Sequence, residues 1–239
     1  MPFLAFKAEE VGVVEPMPLL QIALDHENLD DALAIAEQVA DYVDIMEVGT
    51  PLVKGEGIGA VKAMKKAYPT KLVCADLKTA DAGYLEVRMA AVASADIVTV
   101  LADAYNETLL GALRAAHEFQ VEIMADLIVS RIPMSRLADI IGLRYEETDI
   151  HYACVHSGLD RRAARRAPLS ELASVTRLRG HPRLAVAGGI RVEDLANIMA
   201  YPVDIIIVGG GITKAKNPGK AAQEIKDQMD LLAQQSKSK

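Results

Sequence analysis

The chain has 239 residues, with 26 Lys and Arg against 33 Asp and Glu and a formal net charge of -7. That sign opposes nonspecific binding to nucleic-acid phosphates but leaves room for a local pocket that takes a small anion. Hydrophobic residues make up 51% of the chain, yet no apolar run approaches the roughly 20 residues that cross a bilayer, and MPFLAFKAEEVG lacks a long apolar signal core. One cytoplasmic globular domain is expected, with no nucleic-acid or membrane partner.

In chain order, residues 1–17 read as an N-terminal extension, 18–234 as a single domain, and 235–239, ending in SKSK, as a flexible tail. Short apolar runs predict strands at Leu20–Leu24, Val43–Val48, Lys71–Ala75, Ile97–Leu101, Val121–Leu127, Ile150–His156, Arg183–Ala187 and Asp204–Val208. Amphipathic stretches such as LDDALAIAEQVADY, GIGAVKAMKKAY and ETLLGALRAAHEF alternate with them and predict helices. Eight strand-helix repeats with strands apolar on both faces predict a closed (β/α)₈ TIM barrel; an open doubly wound sheet is the alternative. Cys74 and Cys154 fall inside strand-like runs, away from any C-x-x-C spacing, as expected of buried, inert thiols in a reducing compartment.

A barrel gathers its chemistry at the C-terminal ends of its strands, and the polar residues comply. Asp25 ends the first strand, Glu47 lies near the end of the second, Asp76 and Lys78 follow the third, and Asp126 and His156 end the fifth and sixth. The seventh and eighth end in Gly188-Gly189 and Gly209-Gly210. Glycine lets backbone N–H groups approach an anion, so the paired motifs predict a phosphate cradle; tight strand-to-helix turns are the plainer explanation. Glu47 and Asp76 are the best candidates for a hard divalent cation such as Mg²⁺, which takes oxygen ligands. Asp25, Lys78 and Asp81 then form a charge network that orients substrate hydroxyls. Taken singly, Asp25 reads as a helix cap, Asp81 as a first-turn acid and Lys78 as a salt-bridge partner.

The stretches LQIALD, VDIMEVGTPL, ADLKTADAG, CVHSGLD, AVAGGI and IIIVGGGI together resemble the orotidine 5′-monophosphate decarboxylase suprafamily. Within it they resemble the magnesium-dependent branch that contains 3-hexulose-6-phosphate synthase and 3-keto-L-gulonate-6-phosphate decarboxylase. The resemblance covers about residues 19–232. It implies a (β/α)₈ barrel that acts as a homodimer with shared active sites, Asp81 reaching into the neighbouring subunit. It implies metal ligands at Glu47 and Asp76, phosphate contacts at Gly189, Gly209 and Gly210, and an enediolate of a ketose phosphate as the common intermediate.

One pattern separates the two activities. The decarboxylase typically reads H-R-x-R-D after the sixth strand, its second arginine aiding protonation. This chain reads His156-Ser157-Gly158-Leu159-Asp160, similar to the synthase's H-x-G-L-D, and leucine donates no proton. The expected activity is therefore a formaldehyde-fixing aldolase, with His156 in proton transfer. A decarboxylase or a related ketose-phosphate enzyme is the alternative, and a phosphosugar-binding barrel without turnover the third class. Arg161, Arg162, Arg165 and Arg166 read as a solvated helical face, or as contacts to a second anionic group on a larger substrate.

Overall fold

The computed structural model describes residues 17–161 and 167–236. Most of the expected N-terminal extension, Arg162, Arg165 and Arg166 of the basic run, and residues 237–239 lie outside that description. Eight strands, β1 (Leu19–Leu24), β2 (Ile45–Val48), β3 (Leu72–Thr79), β4 (Ile97–Leu101), β5 (Glu122–Asp126), β6 (Tyr152–His156), β7 (Arg183–Ala187) and β8 (Ile205–Val208), follow one another around a closed parallel barrel, with β8 paired to β1. The open sheet is excluded.

The helices are α1 (Leu29–Val39), α2 (Thr50–Glu56), α3 (Gly59–Ala67), α4 (Gly83–Val92), α5 (Asn106–Phe119), α6 (Pro133–Ile140), α7 (Leu169–Val175), α8 (Leu195–Ile198), α9 (Gly210–Thr213) and α10 (Pro218–Ser236). Their apolar faces pack on the outside of the barrel in one continuous core that includes Leu20, Ile22, Val98, Leu109, Leu113 and Ile206. Truncating a fully buried side chain such as Leu113 to Ala costs about 2–5 kcal/mol in such a core. Alternate residues point inward and build a second, smaller core from Ile45, Cys74, Ile97, Met124, Tyr152 and Ile205. The two faces explain why the strands read as unbroken apolar runs. Both cysteines are buried and free.

The lower end of the barrel is closed by side chains at strand starts. The Arg183 guanidinium lies 4.0 Å over the Tyr152 ring and pairs with Glu122, and Tyr152 is buried. Among the described residues no helix is long and apolar enough to cross a membrane.

Three local departures from the expected elements have physical causes. Asn28, not Asp25, caps α1, accepting from the Asp31 N–H at 2.9 Å, so Asp25 is left to the cavity. The segment VEDLANIMA shrinks to a 3₁₀ turn, Val192–Asp194, and the single turn of α8. An antiparallel hairpin, Arg144–Tyr145 with Thr148–Asp149, follows α6 and is pinned by two Arg144–Asp149 hydrogen bonds of 3.0 and 2.9 Å; its four paired residues are too few and too polar for a strand signal.

Candidate active site

Strand β3 runs to Thr79, four residues past the expected end. Its register with β4 pairs Ala75 with Val98 and next Thr79 with Val100, so a bulge occupies the D-x-K segment. Lys78 sits there at φ +48° and Ala82 follows at φ +53°. A non-glycine residue in this left-handed region costs roughly 1–2 kcal/mol, so surrounding contacts must hold it in place. The Thr99 hydroxyl does so at Lys78, accepting its N–H at 3.0 Å.

The bulge brings the Lys78 ammonium against the Asp76 carboxylate, 3.1 Å from Thr50 Oγ1 and 3.7 Å from Asp126 Oδ2. Asp76 is buried and also accepts from Thr50 Oγ1 at 2.6 Å and Thr99 Oγ1 at 2.8 Å. Burial alone would raise the Asp76 carboxyl, but the Lys78 charge and these hydrogen bonds outweigh it and hold it below the ordinary carboxylate value. Burial likewise works against the ammonium of Lys78, yet Asp76, Asp126 and Glu47 together raise it above the ordinary lysine value. The lysine therefore stays charged at any physiological pH.

Glu47 stands opposite on β2, also buried. Desolvation, and then the Asp76 charge, push its carboxyl well above the ordinary value. Among the described residues its one side-chain hydrogen bond is accepted from Gln21 Nε2 at 2.7 Å, and the buried Gln21 Oε1 has no partner there. Two buried carboxylates with an orphaned amide oxygen beside them are a donor set for a hard cation, which would offset the repulsion that lifts Glu47. The residues present thus fit a magnesium-class ion, which Glu47 and Asp76 would hold.

Asp25 opens onto the same cavity while protein surrounds it on most sides; partial desolvation, then Asp76, raise its carboxyl. A Cβ at Gly49 would lie 2.4 Å from Asp25 Oδ1, so only glycine lets β2 end this close to the acid. On β5 and β6, His156 Nδ1 lies 3.1 Å from Asp126 Oδ2. We assign the ring proton to Nδ1, since Asp126 can only accept, which leaves Nε2 as the free base.

The far wall is made of backbone. Gly188, Gly189, Gly209 and Gly210 line the same cavity as the acids. Gly188 has φ +106°, and a Cβ there would meet Ser157 O at 2.3 Å, so the turn after β7 excludes any side chain. Among the described residues the N–H groups of these four glycines make no backbone hydrogen bond, which suits them to an anion. Arg191 and Lys214 line the same side.

Ten of the eleven expected site residues therefore meet in one cavity. Asp81 is the exception: it is exposed, does not line the cavity of its own chain, and accepts from the Ala82 N–H at 2.7 Å. The expected network of Asp25, Lys78 and Asp81 does not form within one chain: Asp81 lies outside the cavity, its carboxylate turned to the Ala82 N–H. Gln21, Thr50 and Thr99 were missed. Each is a neutral polar residue in or just after an apolar strand, and for Gln21 and Thr99 the inward parity shared with Ala23 and Ile97 was the available signal.

Residues 18–225 match the model of the orotidine 5′-phosphate decarboxylase / HUMPS family. The chain is 37% identical over 207 residues to a 3-hexulose-6-phosphate synthase of Bacillus subtilis, covering 87% of this chain and 96% of that protein. The structure of 3-hexulose-6-phosphate synthase from Salmonella typhimurium superposes with a TM-score of 0.83 at 36% identity, covering 90% of this chain and 99% of that one. KGPDC from Streptococcus mutans superposes with a TM-score of 0.81 at 30% identity, covering 91% and 99%.

Proposed function

Because the chain belongs to the orotidine 5′-phosphate decarboxylase / HUMPS family, we propose that it is a 3-hexulose-6-phosphate synthase, a lyase that condenses formaldehyde with ribulose 5-phosphate. The observation that carries this reading within the family is Leu159, which lines the cavity just after His156. It stands where the decarboxylase pattern has a proton-donating arginine.

The reaction removes a proton from C1 of the ketose phosphate, and the resulting enediolate attacks the formaldehyde carbon. The glycines after β7 and β8 bind the phosphate through their N–H groups. His156 Nε2 takes the C1 proton, with Asp126 on Nδ1 holding the tautomer and stabilising the imidazolium. Lys78, kept protonated by its three acids, faces the negative charge that develops on the substrate oxygens. Asp25 orients hydroxyls. Glu47 and Asp76 would hold Mg²⁺, which would supply Lewis-acid stabilisation of oxygen anions. After the C–C bond forms, the new alkoxide takes up a proton, which closes the balance.

The enzyme acts as a homodimer in this reading. Leu85, Met89 and Val92 are 47%, 45% and 69% exposed and share one face of α4, directly after Asp81. An apolar stripe beside an outward-facing aspartate suits a second copy, in whose cavity Asp81 completes the charge network. Single Asp81→Ala and Lys78→Ala variants should each be nearly inactive, and mixing them should restore part of the activity through hybrid dimers. No recovery after verified subunit exchange would refute the shared site. The cytoplasmic setting is supported by two buried free thiols, and the net charge of -7 opposes a nucleic-acid partner.

The assay is incubation with ribulose 5-phosphate, formaldehyde and magnesium, with mass spectrometry for a hexulose phosphate. Product should form, cease with excess chelator and return with magnesium. Fast decarboxylation of 3-keto-L-gulonate 6-phosphate, without condensation, would transfer the assignment to the decarboxylase branch.

A further inference from the structure

The cavity holds a second set of donors whose chemistry differs from that of Glu47 and Asp76. Asp126 and Cys154 are register partners on β5 and β6, and His156 lies two residues beyond Cys154, on the same inward face of the strand. One ligand atom from each of the three, a carboxylate oxygen, a thiol sulfur and an imidazole nitrogen, lies within 4.8 Å of the other two. Asp126 and Cys154 are each 2% exposed. Donors around a tetrahedral zinc-class ion, at metal distances of about 2.0–2.3 Å, stand roughly 3.3–3.7 Å from one another. Any pair at the outer limit would have to close by about 1–1.5 Å to reach that spacing.

We propose that Asp126, Cys154 and His156 form a binding site for a thiophilic divalent cation of the zinc class. Ligand softness separates it from the hard-oxygen pair: a thiolate and an imidazole favour zinc and cadmium, whereas magnesium keeps to oxygen. The ammonium of Lys78, 3.7 Å from Asp126 Oδ2, opposes a cation here, but the carboxylates of Asp76 and Asp126 outnumber it. Binding breaks the S–H bond of Cys154, releases that proton to water and leaves a thiolate on the metal. Asp126 and His156 give up their mutual hydrogen bond to face the ion. Occupation therefore stops turnover if those two residues have the roles given above, a consequence that rests on the proposed reaction. The binding itself does not.

Cadmium is the probe, because a cadmium thiolate absorbs in the ultraviolet and needs no turnover to be seen. Titrated into the full-length, magnesium-saturated protein, it should produce a charge-transfer band that saturates at one equivalent per chain. The band should persist in Cys74→Ser, which alters the other buried thiol, and be lost in Cys154→Ser. His156→Gln serves as a second variant if Cys154→Ser does not fold; it should keep the band but require more cadmium to saturate it. Zinc should inhibit condensation even in excess magnesium, and Cys154→Ser should be freed of that inhibition. A band that survives in Cys154→Ser, one that vanishes in Cys74→Ser, or no band at any cadmium concentration overturns the site. Cadmium bound at Cys154 with condensation undiminished would leave the site standing and overturn the proton-transfer roles of Asp126 and His156.

Discussion

The two walls of the cavity work by opposite means. From β1 to β6 the wall is made of acidic and basic side chains: Asp25, Glu47, Asp76, Lys78, Asp126 and His156. From β7 to β8 it is made of backbone, with glycines at the strand ends. The first wall accumulates electrostatic cost, visible in the raised carboxyl of Glu47 and in a bulge that holds Lys78 at φ +48°. The second carries its cost in the turn at Gly188, whose conformation side chains avoid. In the proposed reaction, charge that must meet a changing substrate is placed on side chains with tuned partners, and the unchanging phosphate is left to peptide N–H groups, which need no tuning.

This contrast predicts that damage to the first wall lowers turnover and damage to the second lowers affinity. Lys78→Met should show the largest effect, a loss of about 10²–10³ in kcat with KM changed far less, as for removal of a group that faces developing charge. A rise confined to KM, measured by steady-state kinetics, would break the contrast. Gly209→Ala should act the other way. A Cβ there meets nothing closer than 3.5 Å, so the fold should tolerate it while the methyl crowds the phosphate. Loss of one hydrogen bond to a charged group is worth about 1.5–3 kcal/mol, so KM should rise roughly tenfold or more with kcat nearly unchanged.

The smallest effect concerns stability. Glu47 titrates above its ordinary value of 4.5 in the folded chain. Between its unfolded and folded values the native state therefore binds more protons, and the contribution of this group to stability falls as pH rises through that window. Glu47→Gln removes the titration. In chelator, this variant should melt above the parent by a few degrees at neutral pH, since about 1 kcal/mol moves a domain of this size by roughly 2–4 °C. The gap should close as pH falls toward 4.5 and when magnesium is restored to the parent. Scanning calorimetry across pH checks this, and a gap that widens in acid would reverse the sign argued here.

Much of this molecule was legible in its sequence because barrel strands buried on both faces leave unbroken apolar runs, and charges at their ends are conspicuous. All eight strands lie where those runs placed them, with ends shifted by up to four residues. The largest shift, at β3, was hidden because its last residues carry the two charges of the D-x-K motif, and a bulge breaks the alternation that pattern reading relies on. Gln21 and Thr99 escaped notice for a related reason: an uncharged polar residue within an apolar strand is no signal until its partner on another strand is known. The left-handed backbone of Ala82 that opens α4 beside the exposed Asp81 was equally hidden, since alanine announces no such turn.

The closed floor bears on traffic. Tyr152 stacks under Arg183 and Arg183 pairs with Glu122 at the strand starts, while the acids, the lysine and the glycines of the described cavity gather at the strand ends, so in the proposed reaction the large and the small reactant share that side. If the glycines after β7 and β8 hold the phosphate as proposed, a docked sugar phosphate narrows the route by which the one-carbon aldehyde of the proposed reaction comes in and its six-carbon product goes out. In that reaction, order of arrival and length of stay would be decided at the rim of the barrel.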